Sequence, residues 1–274
     1  MPLFTTTIED FSPAISYSSD WAQGSSQSDV LTSSYSASSF FASNVTGGTA
    51  SFTFNGTGVQ LFGSKRQNHG PYQVTLDGQT FPVSSGQSND PIFQTLLFSN
   101  TGLPQGEHTV MLQNQGTSAQ FVDLDFITWY GNIGQSNEQL SVDTVEDNHA
   151  SFVYSPDGAW TDNPSNLGFF HGSTGHSTTT PGASFTYTFQ VWDGVSLFGP
   201  VGPGYSSFSV QLNGVSQEFT AQKSRNASQV MLYHVDSLGP GQHTLEVLVQ
   251  PSATGQALAI DYAEVFSTPS TLGR

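Results

Sequence analysis

Residues 50–63 read ASFTFNGTGVQLFG, two short runs in which bulky and small residues alternate, joined by Asn55 and Gly56. Such alternation is the pattern of a β-strand with one buried face. Asn-Gly between two alternating runs favours a two-residue hairpin turn, because both turn residues need a positive φ. Residues 50–63 therefore predict a β-hairpin, and Asp77-Gly78 within YQVTLDGQTF at 72–81 predicts another.

The pattern returns about 136 residues later, where residues 183–199 read ASFTYTFQVWDGVSLFG. Other pairs that match across the halves are Tyr17 with Tyr154, Gly78 with Gly214, His108 with His243, and Asp125 with Asp261. A period of this length is that of a domain rather than of a solenoid repeat. We therefore predict an all-β chain of two tandem antiparallel β-sandwich domains of the jelly-roll type, produced by internal duplication. The domains are placed at 1–132 and 140–274, with a Gly- and Asn-rich linker between them.

Composition excludes several classes of function. The chain has 5 Lys and Arg residues against 21 Asp and Glu residues, a net charge of -16, and no cysteine. A chain this acidic is repelled by nucleic acid and by anionic membranes. Without cysteine there is no disulfide, zinc–thiolate site or thiol nucleophile. No apolar run approaches the length of a membrane span. Neutral or cationic ligands, sugars and divalent cations remain.

Strand order predicts that three loops of the first half meet at one end of the sandwich. These are residues 64–71, 84–91 and 113–120, and residues 42–48 are expected beside them. The matching loops of the second half are 200–204, 221–229 and 250–256. Four of the five basic residues fall in these loops, namely Lys65, Arg66, Lys223 and Arg225.

These loops carry the groups that a neutral sugar requires. Arg, Asn and His supply directional hydrogen bonds to hydroxyl groups, and aromatic rings cover the apolar face of a sugar. The alternative is that loops are polar for reasons unrelated to a ligand. The candidate sugar-binding residues are Arg66, Asn68, His69, Asn89, Asp90, Tyr35, Trp21, Arg225, Asn226, His171, Tyr205 and Trp160.

Two runs carry a family resemblance. The run from Gly63 to Gly78, which includes Asn68-His69-Gly70, and the run GASFTYTF at 182–189 resemble modules of mushroom proteins. More broadly, the chain resembles the galactose-binding-like jelly roll of carbohydrate-binding modules, in a tandem arrangement similar to oyster-mushroom lectins. This resemblance implies galactose or N-acetylgalactosamine binding and a calcium ion in each copy. It leaves a homo-oligomer open. The second copy departs from the motif, because PVGPG at 200–204 replaces the Arg-Asn-His loop.

Acidic residues repeated in both halves are the candidate calcium ligands. They lie on the first and last strands of each half, where paired or neighbouring strands would bring the carboxylates together. Calcium prefers several hard oxygen ligands. The alternative is that these side chains cap strand ends or accept backbone amides. The candidates are Glu9, Asp10 and Asp125, with Glu146, Asp147 and Asp261.

These features predict a carbohydrate-binding protein without catalysis, a lectin for terminal galactose-type glycans. An adhesive or structural protein of a fungal cell surface is one alternative. A polysaccharide-active enzyme is disfavoured, because catalytic carboxylate pairs are seldom repeated in both halves of a chain. The ligand class suggests an extracellular or cell-surface location, although residues 1–4 do not begin a signal peptide.

Overall fold

The structure is a computed structural model that describes residues 2–117, 119–190, 194–239 and 241–269. Contacts divide the chain into two compact units, which we call the first unit, Leu3–Asn132, and the second unit, from Ile133 onward. Within the described residues no helix is longer than one short turn. None of these helices is long and apolar enough to cross a membrane.

The strands of the first unit are short and separated by turns. They are β1 (Leu3–Glu9), β2 (Ile15–Tyr17), β3 (Ala22–Gln23), β4 (Phe41–Ser43), β5 (Thr49–Gly56), β6 (Gly58–Lys65), β7 (Pro71–Leu76), β8 (Gln79–Thr80), β9 (Ser84–Ser85), β10 (Ile92–Asn100), β11 (Gly106–Asn114), β12 (Val122–Leu124) and β13 (Phe126–Asn132). Two 3₁₀ turns, Thr32–Ser34 and Ser36–Ser38, precede β4.

The second unit repeats this order. Its strands are β14 (Ser141–Glu146), β15 (Phe152–Ser155), β16 (His176–Thr178), β17 (Ser184–Gln190), β18 (Gly194–Val201), β19 (Ser207–Leu212), β20 (Val215–Thr220), β21 (Ala227–Asp236), β22 (Gln242–Gln250), β23 (Leu258–Ile260) and β24 (Tyr262–Ser267). Its 3₁₀ turns are Leu167–Phe169 and His171–Ser173.

All strand pairs in both units are antiparallel, which confirms the predicted fold class. In the first unit one sheet has the order β1-β13-β6-β10, the other β2-β5-β11-β7-β8 with β9 beside β7, and a small sheet has the order β12-β4-β3. The second unit has the sheets β14-β24-β18-β21, β15-β17-β22-β19-β20 and β16-β23. Aromatic rings fill the space between the two main sheets. Phe52 of β5 packs on Trp129 of β13 at 5.1 Å between ring centroids, and the ring of Phe219 lies 5.7 Å from that of Tyr233.

The hairpin predicted at Asn55-Gly56 is wrong. Strand β5 pairs with β2 and β11, whereas β6 pairs with β13 and β10, so the chain crosses from one sheet to the other at Thr57. Neither Asn55 nor Gly56 is among the described residues with a positive φ. Gly56 is needed for a different reason, because a Cβ there would overlap the Tyr130 carbonyl oxygen. Alternation alone does not say which sheet a strand joins.

The second predicted hairpin is confirmed. Asp77 and Gly78 have φ values of 51° and 78°, and Leu76 pairs with Gln79 across the turn. The second unit repeats this geometry at Asn213 and Gly214, with φ values of 51° and 80°. Two residues of positive φ match the twist of the flanking strands.

His108 ties this turn to the neighbouring strand. Its Nδ1 lies 2.6 Å from the Asp77 carboxylate and its Nε2 lies 2.9 Å from the Pro104 carbonyl oxygen. Burial lowers the pKa of His108, but these two acceptors outweigh it and raise the pKa above 6.5. In the second unit Asn213 stands where Asp77 does, and the structure gives His243 the Gly239 carbonyl as acceptor.

We expect Asp77→Asn to destabilise the protein more at pH 5 than at pH 9. A His with a raised pKa stabilises the fold fully below about 6.5, and this contribution is lost as the pH rises through its folded pKa. The Asp77 pKa is lowered by His108 and by the Thr109 amide, so the pair is intact at pH 5. Because Asp77 is partly exposed, the expected loss at pH 5 is only about 2–4 °C in Tm. Thermal unfolding at both pH values checks this, with the exposed Asp143→Asn as control; equal losses at both pH values would contradict the ion pair.

Candidate functional site

Backbone hydrogen bonds confirm that the predicted loops of the first unit meet at one end. The Arg66 amide donates to the Gly86 carbonyl, and the Ser88 amide donates back to Arg66. The Phe121 amide donates to the Asn68 carbonyl. We call this end of the first unit the rim; it comprises residues 64–71, 84–91 and 113–121. Ser118, which falls in the third loop, lies outside the described residues.

The rim contains an open cavity of about 410 Å³. Its lining residues are Arg66, Gln67, Asn68, Asn89 and Pro91. Amide side chains offer both donors and acceptors, and the guanidinium offers donors alone. Apart from partly buried Arg66, the lining residues are exposed. Three of the predicted sugar-binding residues, Arg66, Asn68 and Asn89, are therefore brought together, with exposed Asp90 next in sequence.

The charge of Arg66 is already neutralised. Its Nη1 contacts Asp29 Oδ2, its Nη2 lies 3.3 Å from Asp29 Oδ1, and its guanidinium lies 5.6 Å from the centre of the Phe93 ring. Nη1 also lies 3.4 Å from the Tyr35 hydroxyl. Three of its five N–H donors are therefore used, and two have no partner among the described residues. A guanidinium whose charge is already paired is better suited to bind the hydroxyl groups of a neutral ligand than to bind a carboxylate or phosphate ligand.

Beneath the cavity lies a polar network of Tyr35, Ser64, His69 and Asp123. The Asp123 carboxylate accepts hydrogen bonds from the Tyr35 hydroxyl and the Ser64 hydroxyl, each at 2.5 Å. His69 Nε2 lies 2.8 Å from Asp123 Oδ2 and 3.2 Å from Ser64 Oγ. This is not a nucleophilic triad, because Asp123 contacts the same ring nitrogen as Ser64 and the serine is buried.

The aromatic contacts predicted for the first unit, Tyr35 and Trp21, do not reach the surface. Tyr35 is 3% exposed, with its ring stacked on Phe40 at 4.2 Å, and Trp21 is 7% exposed. His69, predicted as a direct contact, has a side chain that is only 4% exposed. These placements correct the predicted roles, because a covered ring offers no face to a sugar. Burial of a loop residue is decided by distant strands and leaves no local mark in the sequence.

The candidates of the second unit are scattered. Tyr205 lies in the loop that corresponds to the rim, Trp160 packs against Tyr154 at 5.0 Å, and His171 contacts Glu146 Oε1 at 2.5 Å. Arg225 and Asn226 lie in the neighbouring loop, where Asn226 Oδ1 packs against Gly202. Of these five residues, Tyr205, Arg225 and Asn226 lie in adjoining loops, whereas Trp160 contacts Tyr154 and His171 contacts Glu146.

The repeated acidic residues of the first unit do come together. Glu9 ends β1 opposite Phe126 of β13, and the Asp10 amide donates to the Asp125 carbonyl at 2.8 Å. The Ser36 amide and hydroxyl donate to Asp125 and Glu9 at 3.0 and 2.7 Å. Within the described residues, Glu9 Oε2 and Asp125 Oδ2 are buried without a hydrogen-bond partner.

Burial disfavours the charged form of both carboxylates in this pair. Burial, and then the charge of Glu9, raise the pKa of Asp125 to about 8. Burial also raises the pKa of Glu9, against the hydrogen bond from Ser36. A protonated carboxyl group is what a glycosidase uses as its general acid. Asp125, however, is 0% exposed, so a glycosidic oxygen could not reach it.

The second unit repeats the acidic cluster with different donors. The His171 amide donates to Asp261 at 2.8 Å, and His176 Nδ1 contacts the Asp147 carboxylate. Burial raises the pKa of Asp261 to about 7. Asp147 Oδ1 and Asp261 Oδ2 are buried without a partner among the described residues. His171 thus belongs to this cluster and not to a sugar site.

Several residues of the site were missed at the level of sequence. Asp29, Asp123, Gln67 and Pro91 were not predicted, although Asp123 stands two residues before the repeated Asp125. The position of Asp123 two residues before Asp125 is the one feature of the sequence that could have indicated it. The second unit has Ala259 at the matching position, and a search for features shared by both copies therefore passes over Asp123.

Comparison with known proteins gives one informative relative, and no family model matches the chain. The chain is 26% identical over 249 residues, 88% of its length, to the A type blood alpha-D-galactosamine galactosaminidase of Flavonifractor plautii. The match covers 21% of that protein, so the chain spans about a fifth of the length of its relative. The match is to a carbohydrate-active protein. The narrower resemblance to tandem mushroom lectins stays a prediction.

Solved structures resemble the chain only loosely. A Paenibacillus xanthan lyase covers 96% of this chain and 26% of its own, at 12% identity and a TM-score of 0.35. The CBM36-1 domain of a multidomain xylanase from the hindgut metagenome of Trinervitermes trinervoides covers 46% of this chain and 96% of its own, at 16% identity and a TM-score of 0.33. Similarities with TM-scores this low do not indicate a function.

The prediction that the protein is not an enzyme is contradicted by the sequence match. The relative is named a galactosaminidase, and it aligns with most of this chain. Short strands and polar loops look alike in a sugar-binding module and in an enzyme that contains one. The sequence pattern could therefore not separate the two.

Proposed function

We propose that this chain recognises galactosamine-type glycans as part of a glycosidase, and that the rim cavity of the first unit holds the sugar. The observation that carries the proposal is the cavity itself, lined by one neutralised guanidinium and by amide side chains. The named substrate of the sequence relative supports the sugar class. An extracellular or cell-surface location is part of the same proposal.

The lining fits a neutral hydroxylated ligand. A sugar brings little apolar area to bury, so its affinity depends on hydrogen bonds of fixed direction. Arg66 has two N–H donors to offer, and Asn68 and Asn89 each add a donor group and an acceptor. Pro91 supplies the apolar contact for the C–H face of a sugar ring.

We expect Arg66→Ala to weaken the binding of N-acetylgalactosamine by at least about tenfold, since its donors cannot be replaced by solvent without cost. Isothermal titration calorimetry measures this, with glucose as the non-matching sugar. Arg225→Ala removes a positive charge in the second unit and is the matched control, expected to bind as the wild type does.

Hydrolysis is tested separately on the same variants. We expect the protein to release galactosamine from an α-linked aryl galactosaminide, and we expect Arg66→Ala to raise KM more than it lowers kcat, because Arg66 binds the sugar. Wild-type affinity in Arg66→Ala would refute the cavity as the sugar site. Binding without release would remove the hydrolytic part of the proposal.

Calcium in each unit is the second part of the proposal. The unpartnered oxygens of Glu9 and Asp125, and of Asp147 and Asp261, are hard donors of the kind that calcium prefers. A divalent cation would also offset the burial, and then the repulsion by Glu9, that raise the pKa of Asp125. Among the described residues, no three His, Cys, Asp or Glu side chains are arranged as a complete metal site. Backbone carbonyls would therefore complete the coordination, and the ion would support the fold instead of contacting the sugar.

We expect calcium to raise Tm by about 5 °C relative to the protein in chelator, because an ion bound only by the native state stabilises it. Asp125→Asn should reduce this response, since one of the two sites is lost, while the exposed Asp143→Asn should respond in full. Differential scanning calorimetry measures the three proteins. A wild-type Tm that is the same in calcium and in chelator would remove the ion from the proposal.

A further inference from the structure

We infer that the network of Tyr35, Ser64, His69 and Asp123 positions Arg66 and Asn68 for the sugar, and that the chain therefore binds one sugar, in the first unit only. This inference rests on the proposed function. It adds which buried residues build the site and how many sites the duplicated chain holds.

Asp123 is the centre of the network. Besides the three side chains that contact its Oδ2, the Ser64 amide donates to its Oδ1 at 2.6 Å. The carboxylate is 0% exposed, and burying such a group is costly unless hydrogen bonds satisfy it. Four donors on one carboxylate hold the start of loop 64–71 in a single geometry.

The network extends to two of the four polar residues that line the cavity, Arg66 and Asn68. Arg66 Nη1 reaches the Tyr35 hydroxyl, which in turn donates to Asp123. His69 Nδ1 lies 3.0 Å from the Asn68 Oδ1, while its Nε2 is held by Asp123. Burial, and then the charge of Asp123, raise the pKa of Tyr35, so its hydroxyl remains a donor. The buried network thus sets the orientation of the Arg66 and Asn68 side chains, which line the cavity.

The second unit has the same loop backbone without the network. Gly202 forms an isolated β-bridge with Gln222, as Arg66 does with Gln87. Tyr205 forms one with Ala257, as His69 does with Phe121. These pairs fix which positions correspond. The five polar residues Tyr35, Ser64, Arg66, His69 and Asp123 are replaced there by Phe170, Pro200, Gly202, Tyr205 and Ala259.

The counterpart of Arg66 has no side chain, and Asn226 lies beside it. A Cβ on Gly202 would overlap Asn226 Oδ1, so the neighbouring loop fills this space. Phe170 and Ala259 are buried. The second unit therefore presents no guanidinium at this position.

The two units show which residues of this loop are needed for folding and which are not. The loop forms in the second unit with Phe170, Pro200 and Ala259 at the positions of Tyr35, Ser64 and Asp123, so the fold does not require the buried carboxylate network. An apolar replacement is often as stable as a buried polar cluster. The first unit retains the polar version because it orients the two groups at the cavity.

The test uses Tyr35→Phe, which introduces the residue found at the matching place in the second unit, and Asp123→Asn. Titration calorimetry with N-acetylgalactosamine should give one site per chain for the wild type. Both variants should bind about five- to tenfold more weakly with one site retained. Tyr205→Phe makes the same chemical change in the second unit and should leave affinity and stoichiometry unchanged.

Amide hydrogen exchange provides a readout that does not need the sugar. Tyr35→Phe should speed exchange in residues 64–71 and leave 200–204 unchanged. Two sites per chain, or wild-type affinity and wild-type exchange in Tyr35→Phe, would overturn the inference while the proposed function stands. Absence of any sugar binding by the wild type would instead overturn the proposed function and, with it, the single site. Exchange alone would then decide whether the network holds the loop.

Discussion

Asp123 and Asp125 stand on either side of Leu124, where the last strand of the first unit begins. Residues two apart on one strand would share a face, but the chain leaves β12 at Leu124 and enters β13 at Phe126, so the two carboxylates meet different partners. Asp125 meets Glu9 and the Ser36 amide, whereas Asp123 meets Ser64, His69 and Tyr35. One extended segment therefore organises both the acidic cluster and the floor of the cavity.

Tyr35 and Ser36 connect these two places from the other side. Tyr35 lies between the two 3₁₀ turns and Ser36 begins the second. The Tyr35 hydroxyl donates to Asp123, and the Ser36 amide donates to Asp125. An ion bound at Glu9 and Asp125 would hold Ser36 and, through the chain, Tyr35. The proposed calcium would thus support the sugar site without touching the sugar.

The two units differ in how much of this arrangement they contain. The second unit keeps the acidic half at Glu146, Asp147 and Asp261, with histidine donors in place of serine. It has apolar residues where the network under the cavity would stand. A structural site is useful in every copy of a fold, whereas a ligand site is needed only where the ligand binds. The divergence between the copies is therefore informative about function.

The positions of the strands and the loops that meet at the rim could be predicted from the sequence. These depend on alternation, on turn residues such as Asp77-Gly78 and on strand order, which are all local or periodic signals. The sequence also identified Arg66, Asn68 and Asn89. The sequence did not predict that β5 and β6 belong to different sheets, that Tyr35, Trp21 and His69 are covered, or that Asp29 and Asp123 complete the site. The reason is physical, since burial and partnership arise between residues far apart in the chain, and no local pattern records which of them will meet.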